Sequence, residues 1–263
     1  MQFNNGRHAM NNTTHSNITA DVVKMFGIPI NSMTMGQALD LIHERISRRE
    51  KLQIGVVNAA KVVNMQNDPV LHDDVLSSDI ILADGMSVVW AGKLLGRPLP
   101  ERVTGIDLMM KLLDRGNEHR YRVYLLGASE EVSKKVEDNI RRDFPNVVVA
   151  GRNNGYYTDA EEPAVVEKIA AANADILFVA MTSPKKEKFI AKWNDKLNVT
   201  VRHGVGGSFD VYSGKVERAP EIWMRLGLEW LYRVKQEPGR LWKRYLFTNL
   251  KFCKLVLTER FKK

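Results

Sequence analysis

The 263-residue chain has one cysteine, Cys253, and no apolar run near the ~18 residues that a membrane-spanning helix requires. A single cysteine excludes an intrachain disulfide and is typical of proteins in a reducing cytoplasm. Residues 1–20 are rich in Asn, Thr and His and lack the apolar centre of a secretion signal. We therefore expect a disordered tail over 1–20, a cytoplasmic protein and no membrane span.

Several familiar ligand-binding motifs are also missing. The chain has no GxGxxG fingerprint, so a dinucleotide-dependent dehydrogenase is the least favoured class. It has no GxxxxGK[ST] loop, no Asp-x-Asp pair and no HExxH, and its six histidines are scattered. We expect neither a metal nor a cofactor. An anionic ligand would then have to be neutralised by Arg, Lys and backbone N–H groups.

The positive charge of the chain is concentrated at one end. Residues 214–263 contain 13 Lys+Arg against 5 Asp+Glu, a net charge of +8 that equals the net charge of the whole chain. Three of the five tryptophans, Trp223, Trp230 and Trp242, lie in the same segment. This distribution predicts a neutral core domain over 21–213 and a basic appendage over 214–263. Its anionic partner would be a membrane surface, a phosphate-bearing ligand or nucleic acid.

From Glu237 onward the appendage has the pattern of an amphipathic helix at about 100° per residue. One side is cationic: Arg240, Lys243, Arg244, Lys251, Lys254 and Lys262. The other side is apolar: Leu241, Trp242, Tyr245, Leu246, Phe252, Cys253, Val256 and Leu257.

Such a helix either lies among lipid headgroups or packs on its own domain with a solvated charged face, and both interpretations stay open. We expect Trp242 to contact lipid and Trp223 and Trp230 to pack on the domain. Nucleic acid is a poorer partner because the chain has no recognition motif.

The core segment alternates short β-rich runs with amphipathic helices, which predicts an α/β, Rossmann-like, mostly parallel sheet covered by helices on both faces. The predicted strands are 53–57, 80–82, 122–126, 147–150, 176–181 and 200–205. The predicted helices are 35–48, 60–67, 86–95, 105–115, 129–143, 160–172 and 184–196. In such sheets ligands bind beyond the carboxyl ends of the strands.

Polar residues and glycines follow several of these strands. Asp84 has the chemistry of a general base, or it caps the helix that begins near Met86. The turn at Gly206 and Gly207 offers backbone N–H groups to an anion, or it is simply a tight turn. His203, late in an apolar strand, is more typical of a core residue than of a ligand.

Two helix starts differ in charge. Ser129 is a plausible N-cap, but Glu130 follows it and would repel a phosphate. Ser183 also resembles an N-cap, yet Lys185 and Lys186 come next, where the helix dipole disfavours cations. Either the two lysines hold an anion there, or they are exposed and tolerated at small cost.

The loop LPERVTG contains Arg102, which would bind a phosphate through its planar guanidinium or form a salt bridge. Thr104 and Asp107, which follow, are ordinary capping residues for the next helix.

Five motifs in order resemble those of the WecG/TagA/CpsF family of bacterial glycosyltransferases. They are NAAKVV from Asn58, the block from Ala83 to Leu108, SPKKE from Ser183, GVGGSFDVYSGKVERAP from Gly204, and LGLEWLYR with EPGRLWKRY. The resemblance covers residues from about 25 to 263. It implies an inverting, metal-independent transfer from a UDP-sugar to a polyprenyl-diphosphate-linked saccharide, in polysaccharide biosynthesis at the cytoplasmic face of the membrane.

The resemblance also implies roles for individual residues. Asp84 would be the catalytic carboxylate, Asn58 and Arg102 would line the pocket, and Arg233 would close over it when the appendage docks on the membrane. We further expect Lys186, Gly206, Gly207 and Asp210 to contact the donor. This chain departs from the family pattern at Lys186, where many members have Gln, and at Val56, where some have Thr.

The membrane-binding residues expected in the appendage are Arg240, Trp242, Lys243, Arg244, Lys251 and Lys254. Two other functions stay open at this stage: a non-catalytic, membrane-attached module that binds a nucleotide sugar, and a nucleic-acid binder. A homo-oligomer is compatible with the sequence.

Overall fold

A computed structural model describes residues 21–262, apart from the side chain of Arg240. The tail predicted over 1–20 and the predicted lipid contact of Arg240 therefore lie outside the described residues. The strands are β1 (Val22–Met25), β2 (Ile28–Asn31), β3 (Leu52–Val57), β4 (Ile80–Ala83), β5 (Arg122–Gly127), β6 (Val148–Asn153), β7 (Ile176–Ala180) and β8 (Val201–Gly204). The helices of the core are α1 (Met35–Arg48), α2 (Ala59–Met65), α3 (Pro69–Leu76), α4 (Met86–Leu94), α5 (Gly105–His119), α6 (Glu130–Asp143), α7 (Glu162–Ala171), α8 (Lys185–Trp193) and α9 (Ser208–Tyr212). Those of the appendage are α10 (Glu221–Arg225), α11 (Glu229–Gln236) and α12 (Pro238–Phe261).

Six strands form one parallel sheet in the order β4-β3-β8-β7-β5-β6, which confirms the predicted α/β, Rossmann-like fold. Alternate residues of the inner strands enter different apolar clusters. In β5, Val123 and Leu125 pack with α1, α5 and α6, whereas Leu126 packs with α7 and α8. Both faces are therefore buried, as crossover connections between parallel strands require.

The main differences from the predicted elements are local. A two-stranded antiparallel hairpin, β1-β2, was not predicted. Its turn is formed by Phe26 and Gly27, both at positive φ. Helix α8 begins at Lys185 after Pro184, so the prediction of Ser183 as N-cap was wrong. The N-cap is Pro184, which makes no side-chain hydrogen bond to the first turn of α8.

The appendage packs on the core through α12. Phe252 and Val256 are buried in an apolar cluster with Phe26 and residues of α2, and the Phe26 and Phe252 ring centroids lie 5.5 Å apart. The Arg97 guanidinium pairs with Glu259 at 3.0 Å. The prediction of a helix packed on its own domain is therefore correct for one face of α12.

A second apolar face of α12 points away from the domain. Trp242, Leu246 and Leu250 follow one another at i, i+4 and i+8 and are about half exposed or more. Further exposed side chains on the same helix are Phe247, Cys253, Leu257 and Phe261. The apolar side predicted from the sequence thus divides into a core-facing face and an outward face.

Trp223 and Trp230 each pack against a tyrosine ring of the appendage. The Trp223 ring lies 5.7 Å from that of Tyr232, and the Trp230 ring lies 5.8 Å from that of Tyr245. Both indoles are partly buried, whereas Trp242 is 47 % exposed.

Candidate active site

Asp84 follows β4 at the carboxyl end of the sheet and is partly buried. Its Oδ1 accepts a hydrogen bond from the backbone N–H of Gly105 at 2.9 Å. The N-cap of α4 is Gly85, without a side-chain hydrogen bond, so the capping role considered for Asp84 at α4 is wrong. The carboxylate instead lies at the positive end of α5, where the helix dipole favours a negative charge.

Asn58 lies beside Asp84 because Val57 and Ala83, the preceding residues, are register partners in neighbouring strands. The Asn58 side chain N-caps α2 by accepting from the backbone N–H of Lys61 at 3.0 Å. Its amide donates to Asp84 Oδ2 at 3.3 Å. Asn58 therefore orients the second oxygen of the carboxylate while fixing the start of α2.

The pKa of Asp84 is raised above its ordinary value, mainly because burial disfavours the charged form. The hydrogen bonds from Gly105 and Asn58 and the charge of Lys61 oppose this rise, and the charge of Glu229 adds to it. A carboxylate with a raised pKa is a better proton acceptor near neutral pH than an ordinary aspartate.

A buried ionic cluster lies beneath these strand ends. We call Lys61, Lys186 and Glu187 the lysine–glutamate cluster. The ammonium groups of Lys61 and Lys186 lie 2.7 and 3.1 Å from the same oxygen, Glu187 Oε1. The three side chains are 7, 10 and 8 % exposed, respectively. Glu187 Oε2 is buried and has no hydrogen-bond partner among the described residues.

The pKa values in the cluster follow from burial and charge. Burial, helped by the charge of Lys186, lowers the pKa of Lys61 to about 8. Burial alone would raise the pKa of Glu187, but the two ammonium groups outweigh it and lower the value to about 2. Glu187 is therefore ionised at neutral pH.

Lys186 reaches the turn that follows β8. Gly204 lacks a side chain where the stem of Lys186 passes, and a Cβ there would lie 3.0 Å from Lys186 Cε. The Lys186 ammonium is 3.9 Å from the position that a Cβ on Gly206 would take, and Gly206 has φ +55°. Around Gly207 the space for a Cβ is open. Asp210 lies one turn further along α9, 3.5 Å from Lys215.

His203 is a core residue, as the sequence predicts. The side chain is fully buried, and burial lowers its pKa to about 4, so the ring is neutral. Its Nε2 donates to the carbonyl oxygen of Gly105 at 3.2 Å. This bond fixes the backbone of the same residue whose N–H contacts Asp84.

The appendage brings two charges to the site. Glu229 in α11 lies 3.6 Å from Arg102 and 2.9 Å from Arg233. Burial opposes the charged form of Arg233, but Glu229, with Tyr245 and Asp84, leaves its pKa raised. Arg102 thus forms a salt bridge, one of the two roles considered for it, and Arg233 lies within electrostatic range of Asp84.

The turn between α10 and α11 rests directly on the core. Gly227 has φ +67°, and a Cβ there would lie 2.5 Å from Cη2 of Trp90 in α4. Because α4 begins just after Asp84, this contact fixes α11 next to the carboxyl end of β4.

Lys185 points away from the cluster, and its ammonium donates to the Gly155 carbonyl oxygen and lies over the Tyr157 ring. Glu130 at the start of α6 pairs with Arg152 at 2.5 Å, which satisfies the charge that would repel a phosphate. The remaining predicted donor contacts, Lys186 and Gly206, lie together with Asp84 and Asn58 at one edge of the sheet.

Two residues of this region, Lys61 and Glu187, were not predicted as site residues from the sequence. Lys61 lies in a largely apolar helix, AAKVVNM, and the one signal that would have indicated it is an ionisable residue at a buried helical position.

Over residues 21–262, no group of three or more His, Cys, Asp or Glu side chains is arranged to hold a metal ion. No helix in the same range has the length and hydrophobicity to cross a bilayer.

The sequence model of the "Glycosyl transferase WecG/TagA/CpsF family" matches residues 23–263 of this chain. An N-acetylglucosaminyldiphosphoundecaprenol N-acetyl-beta-D-mannosaminyltransferase of Bacillus spizizenii is 44 % identical over 176 residues, 66 % of this chain and 67 % of the relative. A protein of the same name from Bacillus subtilis is 36 % identical over 233 residues, 88 % of this chain and 90 % of the relative.

Proposed function

The chain belongs to the WecG/TagA/CpsF glycosyl transferase family, and from this membership we propose that it transfers a sugar from a UDP-sugar to a polyprenyl-diphosphate-linked saccharide. The names of the two relatives favour an N-acetylmannosaminyl donor and an N-acetylglucosaminyl-diphosphoundecaprenol acceptor. Family membership also favours an enzyme over the nucleic-acid binder and the non-catalytic module.

The observation that supports the proposal most strongly is the environment of Asp84. The carboxylate accepts a proton from the acceptor hydroxyl as that oxygen attacks the anomeric carbon. The bond between the anomeric carbon and the donor phosphate oxygen breaks at the same time, and UDP leaves with the electron pair. The product is the acceptor glycoside with inverted configuration, and Asp84 carries the proton.

Negative charge builds on the departing diphosphate, and the cations around the strand ends neutralise it. Arg102, Arg233 and Lys186 supply positive charge, and the turn at Gly206 and Gly207 supplies backbone N–H groups. Asn58 holds Asp84 in the orientation that the proton transfer needs. Asp210 is a weaker candidate for a contact to the ribose.

The test of this function is a donor screen. The protein is incubated with several UDP-sugars and a short-chain polyprenyl-diphosphate N-acetylglucosamine, and the reaction is followed by the release of UDP and by the mass of the lipid. We expect a lipid heavier by one sugar. Absence of a heavier lipid with every donor would refute the transferase proposal.

Asp84→Asn tests the base. We expect transfer to fall by roughly 100-fold or more, in the range of positioned acid–base groups, because the amide accepts no proton. UDP affinity should not fall, because the substitution removes no group assigned to the diphosphate. Full turnover in this variant would remove Asp84 from the base role.

Metal independence is tested in the same assay. We expect equal rates with EDTA and with added Mg²⁺, because Arg and Lys side chains supply the positive charge that a metal would otherwise provide at the diphosphate. A rate that collapses with EDTA and recovers with Mg²⁺ would contradict this prediction.

We also propose that the outward face of α12 binds the cytoplasmic face of the membrane. Trp242 and the apolar side chains near it match an interfacial helix, and the neighbouring cations suit anionic headgroups. Lys243, Arg244, Lys251 and Lys254 are all exposed. In this arrangement the basic helix holds the enzyme where its lipid-linked acceptor is found.

A further inference from the structure

The lysine–glutamate cluster is only partly used by the mechanism above. Lys186 was assigned to the diphosphate, but Lys61 and Glu187 have no role, although they are among the most deeply buried charges in the described chain. Both ammonium groups contact one oxygen of Glu187, so the three side chains alone sum to +1. Burying an uncompensated charge is strongly unfavourable.

Asp84 supplies the missing negative charge. Lys61 acts electrostatically on Asp84 and lowers its pKa, and Asp84 in turn raises the pKa of Lys61. Asn58 lies between the two residues, because its side-chain oxygen accepts from the backbone N–H of Lys61 and its amide donates to the Asp84 carboxylate. With Asp84 ionised, the four groups are electrically neutral.

The balance changes during the transfer. When Asp84 takes the proton of the acceptor hydroxyl, its charge disappears and the buried groups become net positive. At the same moment the diphosphate of the donor becomes more negative. A site that gains positive charge as the leaving group gains negative charge stabilises the transition state more than the ground state.

The location of Lys186 agrees with this account. Lysines in the first turn of α8 oppose the helix dipole, and Glu187 in the same turn offsets part of their charge. The stem of Lys186 passes through the space left by Gly204, and its ammonium lies next to Gly206. Lys186 therefore faces the turn, whereas the backbone N–H of Lys61 contacts Asn58, whose amide contacts Asp84.

We propose, on the basis of the function proposed above, that Lys61 and Glu187 are positioning residues. Together they assign the two buried ammonium groups of the site to two different anions. Glu187 anchors both ammonium groups. It holds Lys61 as the counter-charge of Asp84 and Lys186 as the counter-charge of the departing diphosphate.

This division of charge is tested with Lys61→Met and Lys186→Gln, each of which leaves one lysine paired with Glu187. Lys192→Met is the matched control, because Lys192 lies in the same helix and pairs with a different carboxylate, Glu162. For each protein, kcat/KM is measured across pH, and UDP affinity is measured by calorimetry.

The two variants should affect different quantities, the pH profile in one and UDP affinity in the other. In Lys61→Met the acid limb of the pH profile moves to higher pH, because Asp84 loses a neighbouring cation, and UDP affinity is unchanged. The other charged groups acting on Asp84, Glu229 and Arg233 in α11, are intact in this variant. In Lys186→Gln, UDP affinity falls roughly 10- to 100-fold, as for the loss of a charge-assisted hydrogen bond, and the acid limb stays in place.

Three results would overturn the division of charge: an unshifted acid limb in Lys61→Met, an unchanged UDP affinity in Lys186→Gln, or effects of the same size in Lys192→Met. In the second case, weaker binding of a short-chain polyprenyl diphosphate by Lys186→Gln would assign the anion site to the acceptor. If the wild type transfers no sugar, the proposed function fails, and the calorimetry alone decides whether Lys186 holds a diphosphate.

Discussion

Glu187 binds two ammonium groups through a single oxygen, and this arrangement has a consequence for acid stability. Its pKa is about 2 in the folded protein against an ordinary 4.5, because Lys61 and Lys186 outweigh the effect of burial. A carboxylate whose pKa is depressed on folding stabilises the protein above its unfolded pKa, and this contribution is lost as pH falls through the folded value.

We therefore expect the free energy of unfolding to fall between pH 4.5 and about 2, and Glu187→Gln to lose this part of the pH dependence. At pH 7 the variant should be less stable by about 3–5 kcal/mol, because two buried ammonium groups lose their partner. Urea denaturation at several pH values measures both effects.

Glu221→Gln is the control, since Glu221 forms an exposed pair with Arg225 and its loss should cost less than about 1 kcal/mol. Equal losses in the two variants would contradict the importance of the buried cluster.

Among single residues, the site positions that could be predicted from the sequence are those that directly follow strands. Asp84 was predicted because it comes immediately after a β-rich run, and ligands bind beyond the carboxyl ends of parallel strands. Asn58 also follows such a run, but its place in the pocket was implied by the family resemblance. Lys61 and Glu187 were not predicted, because their ion pair joins positions 126 residues apart. No local pattern encodes such a pair, which depends on how α2 and α8 pack over the sheet.

Among the elements, the turn between α10 and α11 depends on a residue without a side chain. Gly227 has positive φ and lies against the Trp90 ring, so a methyl group would push the turn away from α4. Glu229 and Arg233, just beyond it in α11, would move with it.

We expect Gly227→Ala to lower kcat/KM by at least about tenfold, because small misplacements of charged groups at an active site are costly. Gly239→Ala, where a Cβ would meet nothing within 4 Å, should leave kcat/KM unchanged. Wild-type activity in Gly227→Ala would show that the placement of α11 does not matter for transfer.

Helix α12 has two apolar faces with different roles. Phe252 is 5 % exposed in the core cluster, whereas Phe261 is 78 % exposed. We expect Phe252→Ala to lower the free energy of unfolding by about 3–5 kcal/mol and Phe261→Ala to change it little. Chemical denaturation of the two variants compares the two faces directly. Similar losses in the free energy of unfolding would contradict the packing of α12 on the core.

The sequence predicted that α12 is amphipathic but not that its apolar side has two partners. Helical periodicity shows which residues share a side, and it does not show how wide a contact the domain makes. The β1-β2 hairpin was missed for a related reason, since its strands have four residues each and are too short to show a clear alternation.

For the whole molecule, the fold class and the charge division followed from composition and periodicity. The sequence places the excess positive charge in residues 214–263, and the structure adds that this segment packs on α2 and contributes Glu229 and Arg233 next to Asp84. The contact between appendage and site depends on tertiary packing, which composition does not describe.

The membrane proposal is tested at this scale. We expect Trp242→Gln combined with Leu246→Gln to reduce sedimentation with anionic vesicles, because both side chains are exposed on the outward face. Binding of the wild type should also weaken at high salt, since headgroup attraction is screened.

Val70→Gln, in which an equally exposed apolar residue of α3 is replaced, should sediment like the wild type. Undiminished binding by the double variant would remove the outward face of α12 from the membrane contact.

The burial of Phe252 and Val256 also bears on how the protein is prepared for crystallisation. A chain shortened before α12 would uncover Phe26 and the apolar side of α2, and we expect it to precipitate during purification. A full-length protein with polar replacements on the outward face would keep its interior closed and stay in solution without detergent.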